Sequence, residues 1–128
     1  MRIEEEQRGS NTIVRIHGAL VLGEGTRALA ELLERVDRER SGVTVIELTD
    51  LKNLDSTALG ILVGSFRRLR GADREMLLVN PNESLSMLLQ LTQLDTVFPI
   101  HRSLEEALGS VAWKEGEAVR GARRPQRV

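Results

Sequence analysis

The chain has no cysteine. Disulfides and thiolate-ligated zinc or iron–sulfur centres are therefore excluded. Aromatic side chains are almost as scarce: Phe66, Phe98 and Trp113, with no tyrosine at all. The core must be aliphatic. Without a basic stripe carrying interleaved aromatics, direct nucleic-acid binding is not expected. No apolar run is long enough to span a bilayer. The N-terminus, Met1-Arg-Ile-Glu-Glu-Glu, lacks the apolar segment of an export signal, so a cytoplasmic protein is expected. Neither charge sign dominates, and the net charge is −1. The charge is unevenly placed, however. Lys114, Arg120, Arg123, Arg124 and Arg127 outnumber Glu115 and Glu117, giving a mildly acidic body and a basic end. The tail G-A-R-R-P-Q-R-V has no apolar pattern. One domain over residues 1–113 and a basic, disordered tail over 114–128 are expected.

What the sequence does contain is centred on residues 43–70, V-T-V-I-E-L-T-D-L-K-N-L-D-S-T-A-L-G-I-L-V-G-S-F-R-R-L-R. Val43, Val45, Ile46 and Leu48 form a β-branched apolar run, as in a strand covered on both faces. Asp50 to Leu54 is too polar to continue it and reads as a loop. A helix is expected from Asp55-Ser56-Thr57, whose short oxygen side chains can accept first-turn N–H groups. Ser56 is a capping candidate, and Thr57 shares that reading. Ala58, Leu59, Leu62, Val63, Phe66 and Leu69 then recur at helical spacing. Arg67, Arg68 and Arg70 suit the negative helix end, and Gly71 suits the stop. Gly60 and Gly64 are poor helix formers. Their spacing predicts close approach to a neighbouring backbone.

On either side, residues 2–7 and 11–17 read as a hairpin around Gly9-Ser10-Asn11. Residues 18–22 read as a further short strand or loop, with Gly18 a candidate bulge. A helix is expected over about 25–40. Ala28, Leu29, Leu32, Leu33 and Val36 form its stripe, and Glu31–Arg35 and Glu34–Arg38 are candidate ion pairs. Met76–Val79 reads as a second buried strand, Asn80-Pro81-Asn82 as a turn, and 84–91 as a short helix. The leucine-rich stretch 84–94 should be core with one partly exposed face. Thr96–Ile100 reads as an edge strand that tolerates Pro99. Ser103-Leu-Glu-Glu106 matches a capping box opening a last helix to about Val111. The expected architecture is α/β: a mixed, mostly parallel sheet of about four to five strands with about four helices packed on it. Loops after strand C-termini are the usual meeting places for ligands and partners, and 50–56 lies there.

Gly23-Glu24-Gly25-Thr26-Arg27-Ala28 fits a dinucleotide-binding fingerprint, but Glu24 would face the pyrophosphate with a like charge. The chain is also too short for the paired halves of that fold. This segment reads instead as a flexible loop and a helix start. No P-loop motif is present. His17 and His101 stand without ligand spacing, so no metal site is expected. Asp55-Ser56 lacks a nucleophile elbow and a third, orienting residue, so no catalytic residue is assigned. No cofactor is implied.

N-L-D-S-T-A-L-G, following V-T-V-I-E-L and preceding I-L-V-G-S-F-R-R-L, resembles the signature of STAS domains, most closely the bacterial anti-sigma-factor antagonists. The resemblance covers roughly residues 10–112. It implies a STAS-like fold and a non-enzymatic regulator. Such a regulator binds an anti-sigma factor that is also a serine kinase, is phosphorylated by it at the Ser matching Ser56, and is reset by a serine phosphatase. Thr57 is the second-choice acceptor. The implied partner face is Val21, Leu22, Gly23 and Glu24 together with Asp55, Ser56, Thr57, Ala58 and Leu59. A weak homodimer is a further expectation. Two departures stand out. The loop usually reads G-x-L-D, whereas this chain has Gly18-Ala19-Leu20-Val21, and Gly is common where Ala58 stands. The alternative is a scaffold or regulatory STAS subunit of a signalling assembly or membrane transporter, in which Ser56 has no phospho-switch.

Overall fold

The computed structural model describes residues 2–20 and 24–111. The hairpin is the pair β1 (Arg2–Arg8) and β2 (Asn11–Leu20), antiparallel from Arg2↔His17 to Arg8↔Asn11. Gly9, at φ +60, supplies the left-handed turn conformation that other residues rarely adopt. Helix α1 (Glu24–Glu39) leads to β3 (Thr44–Glu47), and α2 (Ser56–Gly71) leads to β5 (Met76–Val79). Then come α3 (Glu83–Leu91), a 3-10 turn (Leu94–Thr96), β6 (Ile100–His101) and a last helix, α4, described over residues 104–111. The sheet has six strands, ordered β1-β2-β3-β5-β6, with β4 (Leu51–Leu54) paired to β2 off that path. Every pairing except β1–β2 is parallel.

Strand alternation assigns the two faces. Val14, Ile16, Ile46, Leu48, Met76 and Leu78 pack against Leu29 and Leu33 of α1, Leu62, Phe66 and Leu69 of α2, and Leu85 and Leu89 of α3. Ile13, Val45, Leu77 and Val79 face the other way, onto Ala107 and Val111 of α4. Burial on both faces is why these strands read as continuous apolar runs. Among the described residues the scarce aromatics leave one ring pair, Phe66 edge-on to Phe98 with centroids 4.8 Å apart.

Several expectations change. Residues 51–54 are a strand and not a loop, because they pair in parallel with residues 18–20 of β2 while Leu51 enters the core. β2 runs on to Leu20, into the stretch 18–22 expected as a further short strand or loop, and its register with β4 shifts at Gly18/Ala19, with Gly18 at φ +88. Ala28 is exposed and Thr26 is buried instead, so the α1 stripe is rotated from the expected one. Arg35 pairs with Glu5 on β1 and lies 3.9 Å from Glu39, in place of the expected Glu31. A Cβ at Gly60 would meet nothing within 4 Å, and one at Gly64 only the Arg68 guanidinium at 3.6 Å, so neither glycine permits close backbone approach. Gly71 is the last helical residue, and the left-handed position after α2 belongs to Asp73, at φ +57. There, Arg74 N donates to Leu69 O and Asp73 N to Arg70 O, the paired bonds of a Schellman end.

The edge strand is two residues long and follows Pro99, since Leu94–Thr96 coils into the 3-10 turn. The capping box is half formed. Ser103 Oγ accepts from Glu106 N at 3.1 Å, but the Glu106 carboxylate turns to His101 Nδ1, 3.3 Å away. Among the described residues no helix is long and apolar enough to cross a membrane. The basic tail expected over 114–128 lies outside the described residues.

Candidate functional site

The site is the junction of β4 and α2. β3 ends at Glu47, whose carboxylate accepts from Thr49 N at 2.8 Å and so turns the chain. His17 on β2 reaches that turn, with Nδ1 3.0 Å from Asp50 Oδ2, while its Nε2 lies 3.1 Å from Glu4 Oε1. The second approach is close but poorly aligned, and Nε2 makes no hydrogen bond there. β4 then delivers Asp55 at φ −94, ψ 175, the extended geometry of an N-cap. Asp55 Oδ1 accepts from Ala58 N at 2.9 Å, and Asp55 O accepts from Leu59 N at 3.0 Å.

Ser56 is therefore the first residue inside the helix and not its cap. Ser56, Thr57 and Gly60 are exposed. Ala58 is fully buried and Leu59 is 9% exposed, so these two expected partner residues face the core. No acidic residue lies within the first turn. Of the loop half of the expected partner face, Val21, Leu22 and Gly23 lie outside the described residues, and so does the Glu24 side chain, although its backbone opens α1.

Beside the junction, Leu51, Lys52, Asn53, Leu54, Asn82, Ser84, Leu85 and Leu88 line a cleft of about 40 Å³. Small-molecule sites are roughly tenfold larger. Among the described residues no three His, Cys, Asp or Glu side chains are arranged to hold a metal. Asn82 is a site residue that sequence reading missed. Its Oδ1 caps α3 from Leu85 N at 2.8 Å, and its Nδ2 donates to Leu51 O at 3.0 Å. The N-P-N turn was the signal at hand, but nothing local shows that the amide reaches β4.

A doubly covered, mostly parallel sheet with an exposed helix start at Ser56 and Thr57 defines a small α/β domain. The STAS domain family model matches residues 2–107, and the chain belongs to that family. A Thermotoga maritima relative is 33% identical over 67 residues, 52% of this chain and 59% of its own, so the match spans less than two thirds of that protein. The anti-sigma-B factor antagonist of Listeria monocytogenes is 33% identical over 82 residues, covering 64% of this chain and 72% of that one. In fold, the chain is similar to an anti-sigma factor antagonist from Mycobacterium paratuberculosis, with TM-score 0.78 and 25% identity over 87% of this chain and 93% of that one. It is also similar to the Bacillus cell fate determinant SpoIIAA, solved in its phosphorylated form, with TM-score 0.72 and 17% identity over 84% and 97%.

Proposed function

We propose that the chain is an anti-sigma-factor antagonist working by partner switching. It binds an anti-sigma factor through the exposed start of α2, and phosphorylation of Ser56 releases it. The observation that carries this reading is the division of labour at the helix start. Asp55 is the cap, so the exposed Ser56 hydroxyl can be modified without loss of a structural hydrogen bond to the helix. A phosphate adds about −1.5 to −2 charges. Helix N–H groups and the dipole tolerate an anion there, so the fold survives. A partner surface fitted to a neutral hydroxyl does not accept that charge. The switch thus acts by repulsion and bulk, not by refolding.

In this reading the partner is a serine kinase as well as an anti-sigma factor, and a serine phosphatase resets the cycle in the cytoplasm. The role is regulatory and not enzymatic. The names of the Listeria and Mycobacterium relatives support the antagonist role. The face used is Asp55, Ser56, Thr57 and Gly60, with residues 21–24 as its second half.

The test uses the full chain with a kinase-like anti-sigma factor and ATP. Mass spectrometry of the peptide holding Leu54–Leu59 should find one phosphate on Ser56. Ser56→Asp should fold normally and bind that factor at least about tenfold more weakly, a difference of ~1.4 kcal/mol. Label on Thr57 alone moves the switch by one residue. Absence of label, with Ser56→Asp binding like wild type, would replace this reading by that of a scaffold or transporter subunit.

A further inference from the structure

We propose that Asn82 is a positioning residue for the Ser56 switch: its amide holds β4, and through β4 the first turn of α2. The proposal rests on the reading of Ser56 given above. β4 is only four residues long, and its register with β2 shifts at Gly18/Ala19. It pairs with β2 alone, through an irregular ladder, so its sheet holds it along one edge only. Yet it runs directly into Asp55 and Ser56, so any play in β4 is passed to the helix start.

Asn82 supplies the missing hold. Its Nδ2 donates to Leu51 O at 3.0 Å and lies 3.4 Å from Lys52 O, while its Oδ1 accepts from Leu85 N at 2.8 Å. One planar group therefore caps α3 and pins β4. Two residues earlier, Asn80 Nδ2 donates to the Thr49 hydroxyl at 3.2 Å. The two amides flank Pro81 and grip the β3–β4 connection at successive points.

Residue type separates the two duties. Ser, Asp and Asn serve about equally well as N-caps. Of the three, Asn alone offers an acceptor for α3 together with an NH₂ group long enough to reach across to β4. An α3 that needed only a cap would be served as well by Ser or Asp.

The experiment exploits the absence of cysteine from the chain. Ser56→Cys places a single thiol at the first position of α2. A thiol at a helix N-terminus titrates below the ordinary value of about 8.5. Its pKa, read from thiolate ultraviolet absorbance and from the pH dependence of its reaction with Ellman's reagent, reports how well the first turn is formed. In the Ser56→Cys background, Asn82→Ser keeps a neutral cap on α3 but cannot reach β4. It should lower the melting midpoint by no more than a few degrees, move the thiol pKa back toward about 8.5, and speed amide exchange over 52–58 on the order of fivefold, as expected when one hydrogen bond is lost. Asn82→Asp, which caps but cannot donate, should give the same gain in exchange. An unchanged thiol pKa and unchanged exchange in these variants would overturn the proposal and leave Asn82 as a cap alone. No partner is needed, so this failure is distinct from that of the switch itself, which would show as Ser56→Asp binding like wild type.

Discussion

Asp55 caps α2 by accepting the Ala58 N–H at 2.9 Å, which leaves Ser56, one residue later, inside the helix with an exposed side chain. The two neighbours should therefore respond differently to truncation. Asp55→Ala removes the cap and should destabilise by about 1 kcal/mol, lowering the melting midpoint by roughly 4 °C. Ser56→Ala should stay within about 0.5 kcal/mol of wild type. Thermal melts of both variants decide the matter. Equal losses would mean that Ser56 shares the cap.

Gly42 joins α1 to β3 at φ +60, and a Cβ built on it would lie 2.2 Å from Ser10 O. The clash is with backbone, which cannot swing aside as a long side chain can. Val43 N donates to Asn11 Oδ1 at 3.0 Å and Arg74 Nε to Gly42 O at 2.9 Å, so the connection is held on both sides. Gly42→Ala combines a left-handed backbone with overpacking and should destabilise by about 3 kcal/mol or more. A urea titration should show a large fall in midpoint with little change in slope.

What was legible in the sequence follows from how local each signal is. Val45-Ile46 and Leu77-Leu78 are covered on both faces, so their apolar runs needed no partner to be recognised. The α2 stripe was equally plain, because Leu59, Leu62, Phe66 and Leu69 meet the core at helical spacing. β4 was not legible. Its four residues alternate too briefly, two of them face solvent, and its pairing is with the far end of β2. Strand formation of that kind depends on tertiary neighbours more than on local propensity. The helix start was located to within one residue, but Asp55 and Ser56 are both good caps, and only the backbone angles and the bond from Ala58 N to Asp55 distinguish them. Asn82 escaped for the same reason as β4: its second bond spans 31 positions of sequence.

Glu5 on β1 gives the fold an acid-sensitive contact. The Arg35 hydrogen bond holds its carboxyl below the ordinary range, outweighing the opposing effect of burial. A depressed folded-state pKa adds stability above the unfolded value, and that stability is lost as pH falls through the folded value. The Glu5–Arg35 contribution should thus be complete at neutral pH and should fade as pH drops below the usual Glu range, about 4.3. Because Arg35 is 38% exposed, the effect at neutral pH should be under about 1 kcal/mol. Melting midpoints of wild type and Glu5→Gln, taken from neutral to acid pH, should differ at neutrality and converge at low pH. A constant gap would assign the contact to shape and not to charge.

Gly60 separates what the fold needs from what the surface is used for. It sits in the first turns of α2, exposed, and a methyl group there would meet nothing within 4 Å. Within the domain, then, glycine only weakens the helix. Gly60→Ala should stabilise by about 0.5–1 kcal/mol, seen as a rise of a few degrees in the melting midpoint. Gly60 also lies one helical turn beyond Ser56, so the two share a face. If the partner docks over the start of α2, the added methyl group stands in the interface and affinity should fall as stability rises. The measurement is a pair: a melt of the free protein and a titration with the anti-sigma factor. A more stable protein that binds worse supports docking on this turn. A more stable protein that binds unchanged moves the interface off Gly60 while leaving Ser56 to be judged by its own phosphorylation test. A less stable protein would contradict the open space found above Gly60.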